Sequence, residues 1–266
     1  MKFRSATDVV GRINMRLQPR GNDLRRQAKV IETMLQEGEA LLDRARLLAH
    51  LQEFGLSGST AAWKGLASYA DWINTSVVGP LQIPTEMVDY LLYAGRHRPA
   101  SVAEIGVANG GMATFSAAFF QALNPACQYH CIDIKDRFYV LPRIRERLNF
   151  AFHIPSTSDD HAGKVFDVVF IDGDHSYGWA KRDYLNMGRH AKMICAFHDI
   201  HGQEYVSEEG GIFGFWRELR ATEARQSTMI EFSHAVPGEG VGPRGLWMGI
   251  GIIDRTTTRG LPLATA

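Results

Sequence analysis

The chain has 266 residues, and 29 Lys and Arg balance 29 Asp and Glu, so the formal net charge is zero. That balance excludes a basic nucleic-acid footprint and an acidic disordered tail as first readings. With 45% hydrophobic and 22% charged residues, the composition is that of a globular protein able to bury a sizeable core, as one large domain or one domain with an appendage.

Residues 1–20 are basic, carry no apolar stretch and end at Pro19-Arg20-Gly21, which argues against a secretory signal. Three cysteines, Cys127, Cys131 and Cys195, are too few for a disulfide framework and point to a reducing, cytoplasmic setting. No run approaches the roughly 18 apolar residues of a membrane-spanning helix.

Residues 22–54 read as one helix. Leu24, Ala28, Ile31, Leu35, Leu42, Ala45 and Ala49 form its apolar stripe, with Asn22 or Asp23 as cap and Gly55 as stop. Gly38 is its weak point, costing about 1 kcal/mol relative to Ala inside a helix. The helix either dimerises or packs on its own domain. Four heptads with a glycine favour packing, and any homo-oligomer is expected to form through these N-terminal helices. Residues 61–75 and 84–93 read as further helices, separated by Gly79-Pro80 and Pro84. Residues 1–95 are therefore expected to be a helical region serving either oligomerisation or as a substrate cap.

From residue 101 the pattern alternates. Strands are expected at 101–105, 129–134, 150–154, 165–171 and 192–197, and helices at 110–123, 140–148, 177–186 and 213–222. Such alternation means βαβ units and a mostly parallel sheet. Strands at 227–232 and 246–253 follow without a helix between them, so a hairpin places one strand antiparallel. The expected fold is α/β: a Rossmann-like, seven-stranded, mostly parallel sheet with an antiparallel C-terminal hairpin and an N-terminal helical layer. Its core spans residues 96–256.

Two stretches carry chemistry. Val102-Ala-Glu-Ile-Gly-Val-Ala-Asn-Gly-Gly111 follows a strand and opens a helix, where glycines let the backbone turn and approach a ligand. Its spacing is not the Gly-x-Gly-x-x-Gly of dinucleotide binding. The next strand ends in Asp133, placed to take ribose hydroxyls. The second stretch runs Phe166-Asp-Val-Val-Phe-Ile-Asp-Gly-Asp-His-Ser-Tyr177, and the following strand ends in His198-Asp199. If those strands are neighbours, Asp172, Asp174, His198 and Asp199 meet at one rim, as solvated loop acids or around a cation. A histidine ligand would shift the preference from Mg²⁺ or Ca²⁺ toward Mn²⁺, Fe²⁺ or Zn²⁺. Cys127, His130 and Cys131 suggest zinc by composition only, since strand neighbours diverge.

The glycine loop and Asp133 resemble the corresponding motifs of the class I S-adenosylmethionine (SAM) methyltransferases. The resemblance implies SAM as cofactor. Glu104 would hold the amino end of its methionine moiety, which lies along Gly106, Val107, Gly110 and Gly111. Asp133 would hold the ribose, Ser156 would contact the adenine edge, and Asp172 would also border the cofactor. Ile171-Asp-Gly-Asp-His-Ser-Tyr177, Asp183 and Phe197-His-Asp199 resemble one branch of that class, the cephalosporin-hydroxylase-like and macrocin-type O-methyltransferases. The resemblance covers residues 101–253 and implies Asp172 and Asp199 as metal ligands, with Mg²⁺ first and Ca²⁺ or Mn²⁺ as alternatives. It implies Asp174 as general base, and His175 is a second base by chemistry. His198 stands where several of those enzymes have an acid, so it either ligates or only faces the pocket. His201 and Tyr205 lie on the following loop.

The implied function is metal-assisted O-methylation of a small hydroxylated metabolite or glycosyl group. A hydroxylase-like or non-catalytic SAM-binding partner subunit is the alternative. No nucleic-acid partner is expected.

Overall fold

The computed structural model describes residues 21–58, 64–201, 210–235 and 246–257. The N-terminal layer contains helix α1 (Gly21–Glu37), a 3₁₀ turn at Gly38–Leu42, helix α2 (Arg44–Phe54), a 3₁₀ stretch at Lys64–Trp72 and helix α3 (Pro84–Gly95). The single helix expected over residues 22–54 is thus broken. Gly38 takes φ +54°, a conformation glycine adopts without a Cβ penalty. Asp43 then starts a new helix by accepting a hydrogen bond from the Arg46 N–H at 2.8 Å.

The break changes the phase of the apolar stripe. Ala45 and Ala49 are exposed, whereas Leu47, Leu51 and Phe54 are fully buried. Residues 61–63, the start of the helix expected at 61–75, lie outside the described residues, and Lys64–Trp72 is 3₁₀ rather than α.

The α/β part follows the expected alternation. Its elements are β1 (Ser101–Ile105), α4 (Gly111–Leu123), β2 (Gln128–Ile132), α5 (Pro142–Arg147), β3 (Phe150–His153), β4 (Val168–Ile171), α6 (Tyr177–Asn186), β5 (Ile194–His198), α7 (Gly211–Glu223), β6 (Thr228–Phe232) and β7 (Ile250–Asp254). The seven strands are ordered β3-β2-β1-β4-β5-β7-β6. Strands β1 to β5 pair in parallel, and β7 runs antiparallel to both β5 and β6. The Rossmann-like sheet with its antiparallel C-terminal pair is the expected one. β4 is shorter than the apolar run 165–171 because Asp167 accepts from the backbone N–H groups of Ala100 and Ser101 and turns the chain before Val168.

One hydrophobic cluster joins the N-terminal layer to the sheet. Ile31, Met34, Leu47 and Leu51 share it with Phe115 and Phe119 of α4 and with Val168 and Phe170 of β4. The Phe54 and Phe115 rings meet edge to face at 5.3 Å. A second cluster lies on the other face of the sheet, where Phe197 packs between Phe215 and Trp216 of α7.

All three cysteines are free and buried. His130 stacks on His153 on one face of β2, while Cys131 joins the opposite cluster, so the pair diverges as strand neighbours do. Among the described residues, no helix is long and apolar enough to cross a membrane.

Candidate active site

The sheet register brings the chemistry to one rim. Ile105 of β1 pairs with Ile171 of β4, and Ile171 pairs with Phe197 of β5. Asp172 and His198 therefore leave adjacent strand ends together, beside the loop that follows β1. The carboxyl ends of parallel strands are where ligands enter such sheets. Gly106 is what lets the first loop come this close. It has φ +90°, and a Cβ on it would stand 2.2 Å from the Asp172 carbonyl oxygen.

Two cavities adjoin across Gly106, Ala108, Asp172 and Gly173, which line both. The larger, about 410 Å³, is bordered by Asp133, Ser156, Asp174, Trp179 and Asp183. Asp133 accepts the backbone N–H groups of Ala108 at 2.9 Å and Lys135 at 2.8 Å, which holds its carboxylate at the cavity edge. Ser156 lies close by: its N–H donates to the Asp133 carbonyl at 2.8 Å, and its hydroxyl meets Asp160 and His161. Burial, opposed by the Ser158 hydroxyl, pushes the Asp183 carboxyl up to about 6.

The smaller cavity, about 210 Å³, is bordered by Glu104, Val107, Gly111, His175, His198 and Asp199. Gly110 stands at φ +79° against the Phe138 ring, at the N-terminus of α4. Glu104 is 1% exposed and accepts a hydrogen bond from the Tyr129 hydroxyl. Burial, opposed by that bond and reinforced by Asp172 and Asp133, pushes its carboxyl up to about 8.

Asp172, His198 and Asp199 place one donor atom each within 4.8 Å of one another, the group among the described residues suited to a cation. The His198 Nδ1 lies 3.0 Å from Asp172 Oδ1 and 3.5 Å from Asp199 Oδ2. The His175 Nε2 lies 3.5 Å and 3.3 Å from the same two oxygens. Burial disfavours both imidazolium ions, but the two carboxylates outweigh it and raise both histidines. In turn, against the effect of burial, His198 and His175 hold the Asp172 carboxyl well below the usual carboxylate range. Asp199 adopts φ +59°, a rare conformation for a residue with a side chain and one concentrated at functional sites.

The expected residues thus border the two cavities, except Gly110, which lines neither, and Asp174 stands apart from the donor set. Asp174 is exposed, accepts the Ser176 N–H at 2.9 Å and borders the larger cavity. His175 borders the smaller one. Tyr205 lies outside the described residues, and His201 meets the Ser233 hydroxyl at 2.6 Å.

Two residues at this rim escaped the sequence reading. Gln82 donates to Asp172 Oδ2 at 2.6 Å. Glu86, 1% exposed, accepts the backbone N–H groups of His234 at 2.7 Å and Gly249 at 2.9 Å, and burial, against those two bonds, pushes its carboxyl up to about 7. The one signal for Glu86 is an acid in the first turn of a mostly apolar helix. Gln82 has none.

Residues 103–200 match a family model described as a methyltransferase domain. The chain is accordingly a methyltransferase enzyme on a Rossmann-like sheet. No curated protein matches it. Among solved structures, it is similar to an O-methyltransferase from Bacillus cereus in complex with SAH, at 14% identity over 65% of this chain and 82% of that one (TM-score 0.48). It is also similar to the O-methyltransferase TomG from Streptomyces achromogenes, involved in tomaymycin synthesis and bound to SAM, at 16% identity over 66% and 81% (TM-score 0.48). A third is the methyltransferase MycE of the mycinamycin biosynthetic pathway, in complex with Mg, SAH and mycinamycin VI, at 16% identity over 66% and 51% (TM-score 0.42).

Proposed function

We propose that the protein is a SAM-dependent O-methyltransferase, assisted by a divalent cation, that methylates a hydroxyl of a small metabolite or glycosyl group. The observation that carries this reading is the pair of adjoining cavities at the strand-end rim. One has a ribose-type acid, Asp133, at its edge, and the other holds a buried acid, Glu104, beside a compact Asp172–His198–Asp199 donor set. Their volumes suit a small-molecule cofactor and acceptor together.

In this reading the nucleoside of SAM lies in the larger cavity against Asp133 and Ser156. Gly106, Val107, Gly110 and Gly111 would hold its methionine end, with Glu104 at the amino end and Asp172 bordering both cavities. Bound SAM would supply an electrophilic methyl group for an acceptor oxygen, leaving S-adenosylhomocysteine, and a side chain of the site would take the hydroxyl proton. His175, in its neutral form, is the base we favour, because it borders the same cavity as the donor set, whereas Asp174 borders the other. A general base must stand within hydrogen-bond reach of the proton it takes.

The donor chemistry of the rim fits a metal. Two carboxylate oxygens and one imidazole nitrogen converge in a buried pocket, and His198 Nε2 is buried with no hydrogen-bond partner among the described residues. Asp172, His198 and Asp199 would hold the ion, and the imidazole moves the preference from Mg²⁺ toward Mn²⁺, Fe²⁺ or Zn²⁺. A divalent ion there supplies acidification and orientation of a bound hydroxyl.

The test is SAM turnover with and without chelator across a panel of sugars, phenols and other hydroxylated metabolites. Methyl transfer that chelator abolishes and divalent metal restores is the expected result. Absence of SAM binding by calorimetry would remove the reading. On an accepted substrate, His175→Ala should lose about 10²–10⁴-fold in kcat, while Asp174→Asn should stay within a few-fold of wild type. The reverse pattern would return the base to Asp174.

A further inference from the structure

Residues 77–82, between the 3₁₀ stretch and α3, lie across the loop that follows β1. The Val77 carbonyl accepts from the Ser57 hydroxyl at 2.7 Å and from the Asn109 amide at 3.4 Å. The Pro80 carbonyl accepts the Ser57 N–H at 3.0 Å. A Cβ on Gly111 would stand 2.0 Å from the Gly79 carbonyl carbon, so the two segments are in backbone contact. Just beyond, Ile83 packs with Trp247 and Met248. The segment is held on both sides of Gln82, and Gly79, Leu81 and Gln82 form one wall of the smaller cavity.

Gln82 is 4% exposed, and both ends of its amide are used. Its Oε1 accepts the Leu81 N–H at 3.0 Å, and its Nε2 donates to Asp172 Oδ2 at 2.6 Å. Turning the amide over would put an oxygen against a carboxylate and a nitrogen against an N–H, so the orientation is determined. Asp172 is then gripped by one oxygen, and its other oxygen, Oδ1, is the one facing His198 and His175.

We infer that Gln82 is a positioning residue. It lies outside the matched methyltransferase segment and aims Asp172 Oδ1 into the cation site. This rests on the reading of Asp172, His198 and Asp199 as that site. Side chains that orient metal ligands from behind typically contribute about 10–100-fold to metal affinity. The N-terminal region thereby supplies part of the metal site in addition to covering it.

The test uses the full chain and Mn²⁺ as the probe. Gln82→Met keeps the length of the side chain and removes the donor; Gln82→Leu serves as the second variant should the first not fold. The expected result is Mn²⁺ affinity weakened about 10–100-fold by calorimetry, with SAM affinity within twofold of wild type and an unchanged melting temperature. Mn²⁺ affinity within twofold of wild type would overturn the inference. So would an equal loss of SAM and Mn²⁺ affinity, which marks a merely structural residue. If wild-type protein itself binds SAM but not Mn²⁺, the cation reading falls and takes this inference with it.

Discussion

At the scale of single residues, the rim is an arrangement of buried charges that hold one another in place. Asp172 and Asp199 keep two imidazoles raised, and those imidazoles keep Asp172 ionised against the effect of burial. Glu104, like Glu86, departs from this pattern: it is buried with a neutral hydroxyl as its partner, and its carboxyl is pushed up to about 8. Near pH 7 it is therefore protonated in the free protein. A cationic ammonium or sulfonium bound beside it favours the carboxylate, so SAM binding at pH 7 should release a proton. Affinity should rise with pH and level off above about pH 8. Calorimetry in two buffers of different ionisation enthalpy measures the proton directly. Glu104→Gln, which has no proton to lose, should show no buffer dependence.

At the scale of elements, the glycine-rich loop was read for its closeness to a ligand, but its tightest contacts are with the chain itself. Gly106 makes room for the backbone after β4, and Gly111 makes room for Gly79. The motif was legible, and the reason for its last glycine was not, because Gly79 belongs to a segment with no sequence signature of contact. Gly111→Ala should destabilise the protein by about 1–3 kcal/mol, the usual cost of overpacking, since all three clashing atoms are backbone and none can rotate away. Denaturant unfolding checks it; a change within 0.5 kcal/mol, which on the order of an ordinary surface substitution, would contradict the close approach. The broken N-terminal helix has a similar lesson. Its apolar stripe was visible, yet a glycine at positive φ and an aspartate cap reset the phase, and the buried positions moved from Ala45 and Ala49 to Leu47 and Leu51.

At the scale of the whole molecule, the N-terminal layer and the sheet share one hydrophobic cluster. Deleting the residues before Pro84 would strip the cover from Phe115 and Phe119 and remove Gln82 from the rim. Such a truncated chain should lose its cooperative melting transition and bind a hydrophobic dye, as loosely packed states do. A sharp transition near that of the full chain would show instead that the sheet stands alone. The α/β alternation, the strand ends and the acids Glu104, Asp133, Asp172 and Asp199 were all readable from the chain. Periodicity is a local property, and in a parallel sheet an acid just past a strand falls at the ligand rim by topology alone. What only the tertiary structure decided are the contacts between distant segments. Gln82 reaches an aspartate 90 residues away, and Glu86 ties backbone 148 and 163 residues away. Which of Asp174 and His175 faces the donor set depends on how one turn leaves β4. Side-chain direction and long-range pairing come from packing the whole chain, and no local pattern encodes them.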